Sequence, residues 1–343
     1  MDQIGEYTKL KLIGDGAFAK VFKVRHNRFG YIRAIKELDV DIEDENDTKY
    51  ASFIKECSNL LKIGNGAHPN IVRIGQPHLS GKKAYVEMDL VQGKTVDEFV
   101  EETGFVPYEE IQTFILDIGG ALAYCHQDIY LDLMDKEKDK LETDPNDAEK
   151  FIISPEKRHD LIMTHRVIHN DLHSKNVIRR RYDGHFILLD FGLSIQNNIC
   201  VKSSSRRDGA DEYKAPEKLN PNEYEVPAGF EPACDVYSLG VIIFEMLTGR
   251  PPFPLEGNSE KDKANVILAH LNDEPPPIGP LRKKAFEMKY EGKEYKKDYP
   301  DWLEGIVMKC LEKQPGDRYA DAKELLEDYN RHMIEDERER KRG

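Results

Sequence analysis

Short apolar runs with strand character dominate the first part of the chain. Residues 7–36 have strand character, with apolar side chains that alternate from Val21 onwards except for Phe22, and they are interrupted by Gly14 and Gly16, a pattern typical of β-strands joined by a tight turn. The stretch 49–63 has instead the three- and four-residue apolar spacing of a helix, and further strands are predicted up to about Val91. The pattern therefore predicts a sheet with one helix in this part.

Helical spacing dominates the second part. Apolar side chains recur every three or four residues from Tyr108 to His126, and the last third of the sequence continues in the same way. The section 127–160 between them is highly charged and contains the loop signal Thr143-Asp144-Pro145-Asn146. The longest apolar run, Leu239 to Phe244, is too short to cross a bilayer. Together the two parts predict an α+β fold.

Composition and charge narrow the class of protein. The chain has 39% hydrophobic and 33% charged residues, as soluble globular proteins do, and its net charge of −14 argues against a nucleic-acid-binding face. Its five scattered cysteines show no Cys-x-x-Cys spacing, which favours a reducing compartment over a disulfide framework or a thiolate metal site. Because the N-terminus also lacks a secretory signal, we expect a cytoplasmic protein with neither a membrane nor a nucleic-acid partner.

A glycine-rich stretch, GDGAFAKV at residues 14–21, lies between two predicted strands. A dinucleotide-binding fold would place such a string between a strand and a helix, whereas here strand character continues from Lys20 to Val24. The context predicts a hairpin that covers phosphates, since glycine lets the backbone approach a ligand closely. Lys36, at the end of the next strand, and Glu56, on the following helix, could pair and hold the ammonium towards those phosphates.

The stretch HNDLHSKN, residues 169–176, carries two side chains with complementary chemistry. Asp171 can accept the proton of an attacking hydroxyl, and Asn176, five residues later, can offer its amide oxygen to a metal. Asp190, in an Asp-Phe-Gly string, adds a carboxylate suited to Mg²⁺, which prefers oxygen ligands. The segment ends at Ala215-Pro216-Glu217.

These motifs and their order resemble the eukaryotic-type protein kinase family across nearly the whole chain. The resemblance implies a bilobal fold, with a small antiparallel sheet and one main helix in residues 1–91 and a mostly helical large lobe in 92–330. Residues 331–343 would be a charged helix extension or tail. ATP and Mg²⁺ would bind between the lobes, the metal at Asn176 and Asp190, and the γ-phosphate would pass to a protein hydroxyl, with serine or threonine favoured over tyrosine.

The resemblance also assigns roles to individual residues. Lys36 would contact the α- and β-phosphates and pair with Glu56. Asp171 would position or deprotonate the substrate hydroxyl, and Lys175 would bring positive charge to the γ-phosphate. The other nucleotide-binding positions would be Gly14, Asp15, Gly16, Ala17, Phe18, Ala19, Val21, Ala34, Met88, Asp89 and Val91, with Met88 guarding a back pocket and the backbone of Asp89 and Val91 binding adenine.

Three positions depart from the family pattern. Asn170 replaces the arginine that in many kinases binds a phosphorylated activation loop, so we expect an enzyme that does not need this switch. His173 and Ala210 stand where serine/threonine kinases usually carry a lysine and a threonine in mutual contact.

An insertion is the fourth departure, because His169 follows His126 by 43 positions where kinases typically need fewer than ten. A solvated excursion of residues 127–165 is the default interpretation, since surface insertions cost little free energy. The alternative is a docking or regulatory element built on Phe151 to Ile153, which would bind a regulatory partner.

Two other functions stay open. A small-molecule phosphotransferase shares the His-x-Asp-x-x-x-x-Asn loop but generally lacks the Ala-Pro-Glu segment and the arginine that pairs with its glutamate, here Arg318 and Glu217. An ATP-binding pseudokinase scaffold would have the same fold without catalysis, but no catalytic position is missing. The sequence therefore favours a protein kinase with a protein substrate.

Overall fold

The structure, a computed structural model, describes residues 2–15, 19–38, 41–42, 68–129, 154–189, 210–257 and 259–341, together with scattered positions between 50 and 63 and the backbone of 143–144 and 147–151. The described positions between 50 and 63 are helical, as predicted. Phe53 and Cys57, which belong to the predicted apolar spacing, are buried in the main core together with Ile63.

A six-stranded antiparallel sheet forms the small lobe. Its spatial order is β1-β2-β3-β4-β6-β5. Val24 and Ile35 are fully buried on its outer face, where they pack with Ile4 of the N-terminal strand into a separate small core. The strands are β1 (Gln3–Ile4), β2 (Tyr7–Asp15), β3 (Ala19–His26), β4 (Ile32–Leu38), β5 (Ile74–Ser80) and β6 (Lys83–Met88).

The large lobe is mostly helical and adds three short strands that pair in the order β11-β10-β7. A separate hairpin of β8 and β9 lies in the insertion. The strands are β7 (Gly93–Thr95), β8 (Thr143–Asp144), β9 (Asp147–Phe151), β10 (Val177–Arg180) and β11 (Phe186–Leu188). The helices are α1 (Val96–Thr103), α2 (Tyr108–Ala123), α3 (Pro155–His165), α4 (Pro216–Leu219), α5 (Ala233–Thr248), α6 (Glu260–Asn272), α7 (Ile278–Lys289), α8 (Asp301–Cys310) and α9 (Ala322–Arg340).

Helix α5 is the centre of the large lobe. All sixteen of its residues are buried, which fits a sequence that is apolar on every side. It ends at Gly249, whose φ of 82° closes the helix in the left-handed conformation. A Cβ at this position would lie 2.0 Å from the carbonyl oxygen of Gly104, the residue that ends α1, so glycine also permits the close approach of the two helix ends.

The insertion leaves and re-enters the large lobe at one place. Helix α2 continues into a π-helix at Tyr124–Asp128, and the N–H of Val167 donates to the carbonyl of Cys125 at 2.9 Å. A π-helical turn is rare and is often found near a functional site. The ends of the insertion are therefore fixed together, whatever lies between them. The side chains of Phe151, Ile152 and Ile153, the proposed docking element, lie outside the described residues.

Residues 331–340 form the last part of α9, which ends at Arg340. Of the two alternatives predicted for residues 331–343, a helix extension or a tail, the helix is the one observed. Trp302 of α8 donates its indole N–H to Asp336 at 2.9 Å and stacks on His332 with ring centroids 5.2 Å apart. These contacts hold α9 against the lobe. Among the helices that the structure describes, none is long and apolar enough to cross a membrane.

The cysteines within the described part of the chain form no disulfide. Cys57, Cys125, Cys234 and Cys310 are buried thiols, and burial raises the pKa of Cys310 to about 12. The sheet-first, helix-second order and the α+β class predicted from the sequence are confirmed.

Candidate active site

The glycine-rich stretch forms a strand–turn–strand hairpin rather than a strand–helix unit. Gly14 and Asp15 end β2, Ala19 and Val21 begin β3, and Gly14 lies directly opposite Val21. A Cβ on Gly14 would lie 3.3 Å from the Cβ of Val21, a tight contact that glycine avoids. The predicted hairpin is confirmed at its described ends. The predicted contacts of the tip, Gly16, Ala17 and Phe18, lie outside the described residues.

The strand register brings several predicted nucleotide-binding residues to one face of the small-lobe sheet. Val21 lies opposite Lys36, and Lys36 lies opposite Val86. Ala34, two residues before Lys36 and therefore on the same face, lies opposite Met88. Val86 and Met88 pack in the main core that extends into the large lobe. This face is therefore the one directed at the large lobe, with the Lys36 side chain on it.

The segment after β6 connects the two lobes. The N–H of Asp89 donates to the carbonyl of Arg73 at 3.0 Å, and the Asp89 carboxylate lies 3.5 Å from the Arg33 guanidinium. Within the described residues, the carbonyl of Asp89 and the N–H of Val91 make no hydrogen bond, so both are available to a ligand. A flat base with a donor and an acceptor edge fits these two groups, and its binding to Asp89 and Val91 stays a prediction.

Close backbone packing ties this connection to the large lobe. A Cβ on Gly93 would lie 2.0 Å from the carbonyl oxygen of Arg179 and 2.7 Å from Cγ2 of Ile178, so only glycine lets β7 pair with β10 here. Ile178 directly follows the strand start at Val177, next to Asn176. The connection and the HNDLHSKN loop are consequently held at a fixed separation.

The buried carboxylate of Asp235, at the start of α5, holds the first residues of this loop. It accepts from the backbone N–H of His169 at 2.7 Å and from that of Asn170 at 2.9 Å. His126 donates to it from Nε2 at 3.0 Å, because Nδ1 of His126 accepts from the N–H of Ala322. Burial on its own raises the pKa of Asp235, but the hydrogen bond and charge of His126 and the neighbouring His169 outweigh it and lower the pKa.

Asn170 adopts the left-handed conformation, with φ of 62°, the only non-glycine residue described to do so. Asparagine tolerates this conformation better than most residues because its short amide can bond locally. Its Nδ2 donates to the carbonyl of Ile168 at 3.3 Å. The departure at position 170 therefore places an uncharged side chain, bonded to its own loop, beside Asp171.

A side-chain hydrogen bond brings Asn176 to the backbone of Asp171. The Asn176 side chain donates from Nδ2 to the carbonyl of Asp171 at 2.8 Å, which leaves its amide oxygen facing away from that bond. The N–H of Leu189, the residue before Asp190, donates to the carbonyl of Asn176 at 2.8 Å. An amide oxygen presented in this way is a suitable ligand for a hard cation such as Mg²⁺.

Two predicted partners fall outside the described residues. Glu56 is the predicted partner of Lys36, and Asp190 is the predicted second metal ligand. The pair and the complete metal site therefore stay predictions.

The atypical side chains of the loop differ in their surroundings. Nε2 of His173 lies 4.0 Å from the carboxylate of Asp171. Lys175 is exposed. Burial of Glu212 raises the pKa of that carboxyl group, and the positive charge of Lys175 acts in the opposite direction. Lys175 thus lies near Glu212, in the segment that leads to Ala-Pro-Glu.

Some residues of the site have no counterpart among the sequence predictions. The contact of Asp235 with the loop is the clearest case, because the sequence indicated Asp235 only by its resemblance to the start of the central helix of protein kinases. Ile13, an apolar residue 45% exposed beside Gly14, and Ile178, next to Gly93, are further candidates for covering a base. An exposed apolar side chain flanking a glycine-rich turn could have indicated the first of these.

Comparison with known proteins gives a consistent result. A family model described as the protein kinase domain matches residues 7–135 and 132–329. A probable serine/threonine-protein kinase of Clostridium acetobutylicum is 23% identical over 92% of this chain and 38% of its own length. The serine/threonine-protein kinase PknB of Lactococcus lactis, assigned as probable, is 24% identical over 96% of this chain and 43% of its own length.

A plant protein gives a similar match. The serine/threonine-protein kinase AtPK1/AtPK6 of Arabidopsis thaliana is 25% identical over 90% of this chain and 58% of its own length. The chain thus spans less than half of the bacterial relatives and somewhat more than half of the plant relative. Because the family model covers almost all of the residues that build the two lobes and the site between them, the chain belongs to the protein kinase domain family.

Proposed function

We propose that this chain is a protein kinase that uses ATP and Mg²⁺ to phosphorylate serine or threonine hydroxyls of a protein substrate. The observation that carries the proposal is the geometry of the loop, where Asp171 and Asn176 are joined by a 2.8 Å hydrogen bond and Asp235 anchors the loop to α5. The family membership supports the reaction class, and the serine/threonine kinases among the relatives support the choice of hydroxyl.

In this proposal the residues of the loop divide the chemistry. Asp171 orients the substrate hydroxyl and accepts its proton, while the amide oxygen of Asn176 and the carboxylate of Asp190 hold the metal. Bound Mg²⁺ supplies neutralisation of the charge on the transferred phosphoryl group. Lys36 holds the phosphates from the small lobe, and Lys175 brings an ammonium to the side where the phosphoryl group is transferred. The catalysis is positioning together with electrostatic stabilisation.

The nucleotide would lie under the hairpin of β2 and β3. The carbonyl of Asp89 accepts from the amino group of adenine and the N–H of Val91 donates to its ring. The apolar walls would be Ile13, Val21, Ala34, Met88 and Ile178. In the same proposal residues 1–91 and 92–330 are the two lobes, the insertion 127–165 binds a regulatory partner, and the protein works in the cytoplasm.

A transfer assay from labelled ATP to a generic protein tests the proposal. We expect wild type to label the protein, and Lys36→Ala and Asp171→Asn each to lose at least about 100-fold in rate. Lys11→Ala, an exposed lysine on the same sheet, and Asp183→Asn, in an exposed turn, are the matched controls and should keep the wild-type rate.

The remaining outcomes identify the alternatives. Nucleotide binding without transfer would favour a pseudokinase scaffold, and transfer to small metabolites but never to protein would favour a small-molecule phosphotransferase. Predominant phosphotyrosine in the labelled product would contradict the serine/threonine assignment. Deletion of residues 136–150 that changes neither the rate nor the binding of any partner would argue against a regulatory insertion.

A further inference from the structure

A chain of three buried polar side chains links the HNDLHSKN loop to the central helix at a second place. The hydroxyl of Ser174 lies 2.8 Å from the phenol oxygen of Tyr213, and the Tyr213 hydroxyl donates to the Glu245 carboxylate at 2.8 Å. A phenol has a single proton, so the bond to Glu245 leaves Ser174 as the donor to Tyr213. The order of donation is therefore Ser174 to Tyr213 to Glu245.

Each member of this chain belongs to a different element. Ser174, which is 1% exposed, begins the 3-10 turn Ser174–Asn176, three residues after Asp171. Tyr213 ends the 3-10 turn that precedes Ala-Pro-Glu, and its carbonyl accepts from Ser238 of α5 at 2.8 Å. Glu245 lies on α5. The three side chains thus connect the loop, the segment before Ala-Pro-Glu and the central helix.

Helix α5 consequently holds the loop from two points. Asp235 binds the backbone of residues 169 and 170, and Glu245 reaches residue 174 through Tyr213. Ten residues of α-helix separate the two carboxylates, about 15 Å along the axis. Two anchors on one rigid helix fix both the position and the direction of the stretch between them, which contains Asp171.

The neighbouring positions show why this link matters in this chain. Positions 173 and 210, where serine/threonine kinases usually carry a lysine and a threonine in mutual contact, hold His173 and Ala210 here. The hydroxyl at position 174 joins the same two stretches of chain by a different bond.

We propose that Ser174 is a positioning residue of this kinase, because its hydrogen bond to Tyr213 fixes the turn that sets Asp171 and Asn176 against the segment before Ala-Pro-Glu. This inference rests on the proposed function. Ser174→Ala leaves the bond from Tyr213 to Glu245 in place, so the fold persists while the loop loses one anchor. The expected result is a fall in kcat of roughly 10-fold, with the KM for ATP unchanged, since no nucleotide-binding group is touched.

A double-mutant cycle distinguishes positioning through Tyr213 from a local effect. In the Tyr213→Phe background we expect Ser174→Ala to cause little further loss of kcat, because the bond is already absent. Thr248→Val is the matched control, since it removes another buried hydroxyl of the large lobe, one that donates to the carbonyls of Phe244 and Arg250. It should reduce stability without changing kcat. Equal losses from Ser174→Ala in both backgrounds would overturn the proposal.

Hydrogen exchange gives a readout that does not depend on catalysis. Ser174→Ala should speed amide exchange in the peptide covering residues 171–176, while exchange in α5 stays as in wild type. Thr248→Val should leave the 171–176 peptide unchanged. Unchanged exchange in Ser174→Ala would overturn the positioning role even if wild type transferred phosphate. Faster exchange in Ser174→Ala, together with a wild type that transfers no phosphate, would instead contradict only the proposed function.

Discussion

The guanidinium of Arg318 donates two hydrogen bonds of 2.8 Å to the carboxylate of Glu217, 101 residues earlier in the chain. Both side chains are almost completely buried. The other three N–H groups of Arg318 donate to the backbone carbonyls of Ala233, Glu312 and Lys313. All five donors are therefore satisfied, and the pair predicted from the sequence is confirmed.

Replacing Arg318 should destabilise the large lobe strongly. Arg318→Met leaves Glu217 as a buried, uncompensated charge and removes the donors to three carbonyls, for a loss of about 3–5 kcal/mol in the free energy of unfolding. Urea denaturation measures it. Adding Glu217→Leu should recover part of the loss, because it removes the stranded charge. A loss below about 1 kcal/mol in the single variant would contradict the structural role given to the pair.

Glu245 should make stability fall as the pH rises through neutrality. Burial raises its pKa to about 7, with a contribution from the negative charges of Asp97 and Glu212, while the hydrogen bond from Tyr213 opposes the shift. Since the folded protein binds this proton more tightly than the unfolded chain, the stabilisation is complete below about pH 4 and is lost as the pH rises through about 7.

The variant Glu245→Gln removes this titration. Between about pH 5.5 and about pH 8.5, the free energy of unfolding should fall by about 1–3 kcal/mol less in the variant than in wild type. Glu101→Gln, at an exposed position of α1, serves as a control for a general effect of losing a carboxylate. Parallel pH profiles for wild type and Glu245→Gln would show that Glu245 titrates normally.

His270 should produce the opposite dependence in acid. It is fully buried, its Nδ1 lies 2.7 Å from the hydroxyl of Tyr237, and burial, with the charge of Lys313, lowers its pKa to about 3. The neutral ring is favoured in the folded state, so its contribution is present above about pH 6.5 and is lost as the pH falls towards about 3. His270→Gln, which keeps a hydrogen-bond acceptor, should lose less stability than wild type between about pH 6 and about pH 4.5. An identical acid profile would refute the assignment.

Activity should not depend on phosphorylation of the chain. Asn170 carries no charge with which to hold a phosphate, its amide donates to Ile168, and its oxygen lies 3.7 Å from the buried thiol of Cys234. After complete dephosphorylation we expect the transfer rate to stay within about 2-fold of the untreated protein. A mock treatment with inactivated phosphatase is the control. Collapse of the rate would mean that another cation takes the role of the missing arginine.

The sequence predicted those parts of the site whose residues lie near one another in the chain or belong to a recognisable motif. Gly14 and Val21 are joined by one hairpin, and Asp171 and Asn176 lie on one loop, so local spacing was sufficient. Arg318 and Glu217 were predicted through the resemblance. The two hydrogen bonds that Asp235 accepts from the loop were not predicted. They join residues more than 60 positions apart, and they depend on how α5 packs.

Ser174 shows the same limit more sharply. A serine within a polar loop carries no pattern that indicates burial, and its bond to Tyr213 exists only because two turns from distant segments pack on α5. The π-helix at Tyr124–Asp128 was equally unpredictable, since the residues that form it continue the helical spacing of α2. In both cases tertiary packing, rather than local preference, determines the conformation.

The stacking of Trp302 on His332 makes tryptophan fluorescence a probe of the contact between α8 and α9. Trp302 is the only tryptophan, so emission excited selectively at the indole band comes from the contact between α8 and α9 alone. Release of the C-terminal helix should change the intensity and wavelength of this emission, whereas melting confined to the small-lobe sheet should leave it unaltered. Comparing the fluorescence transition with circular dichroism would therefore reveal whether the two lobes unfold together or in sequence.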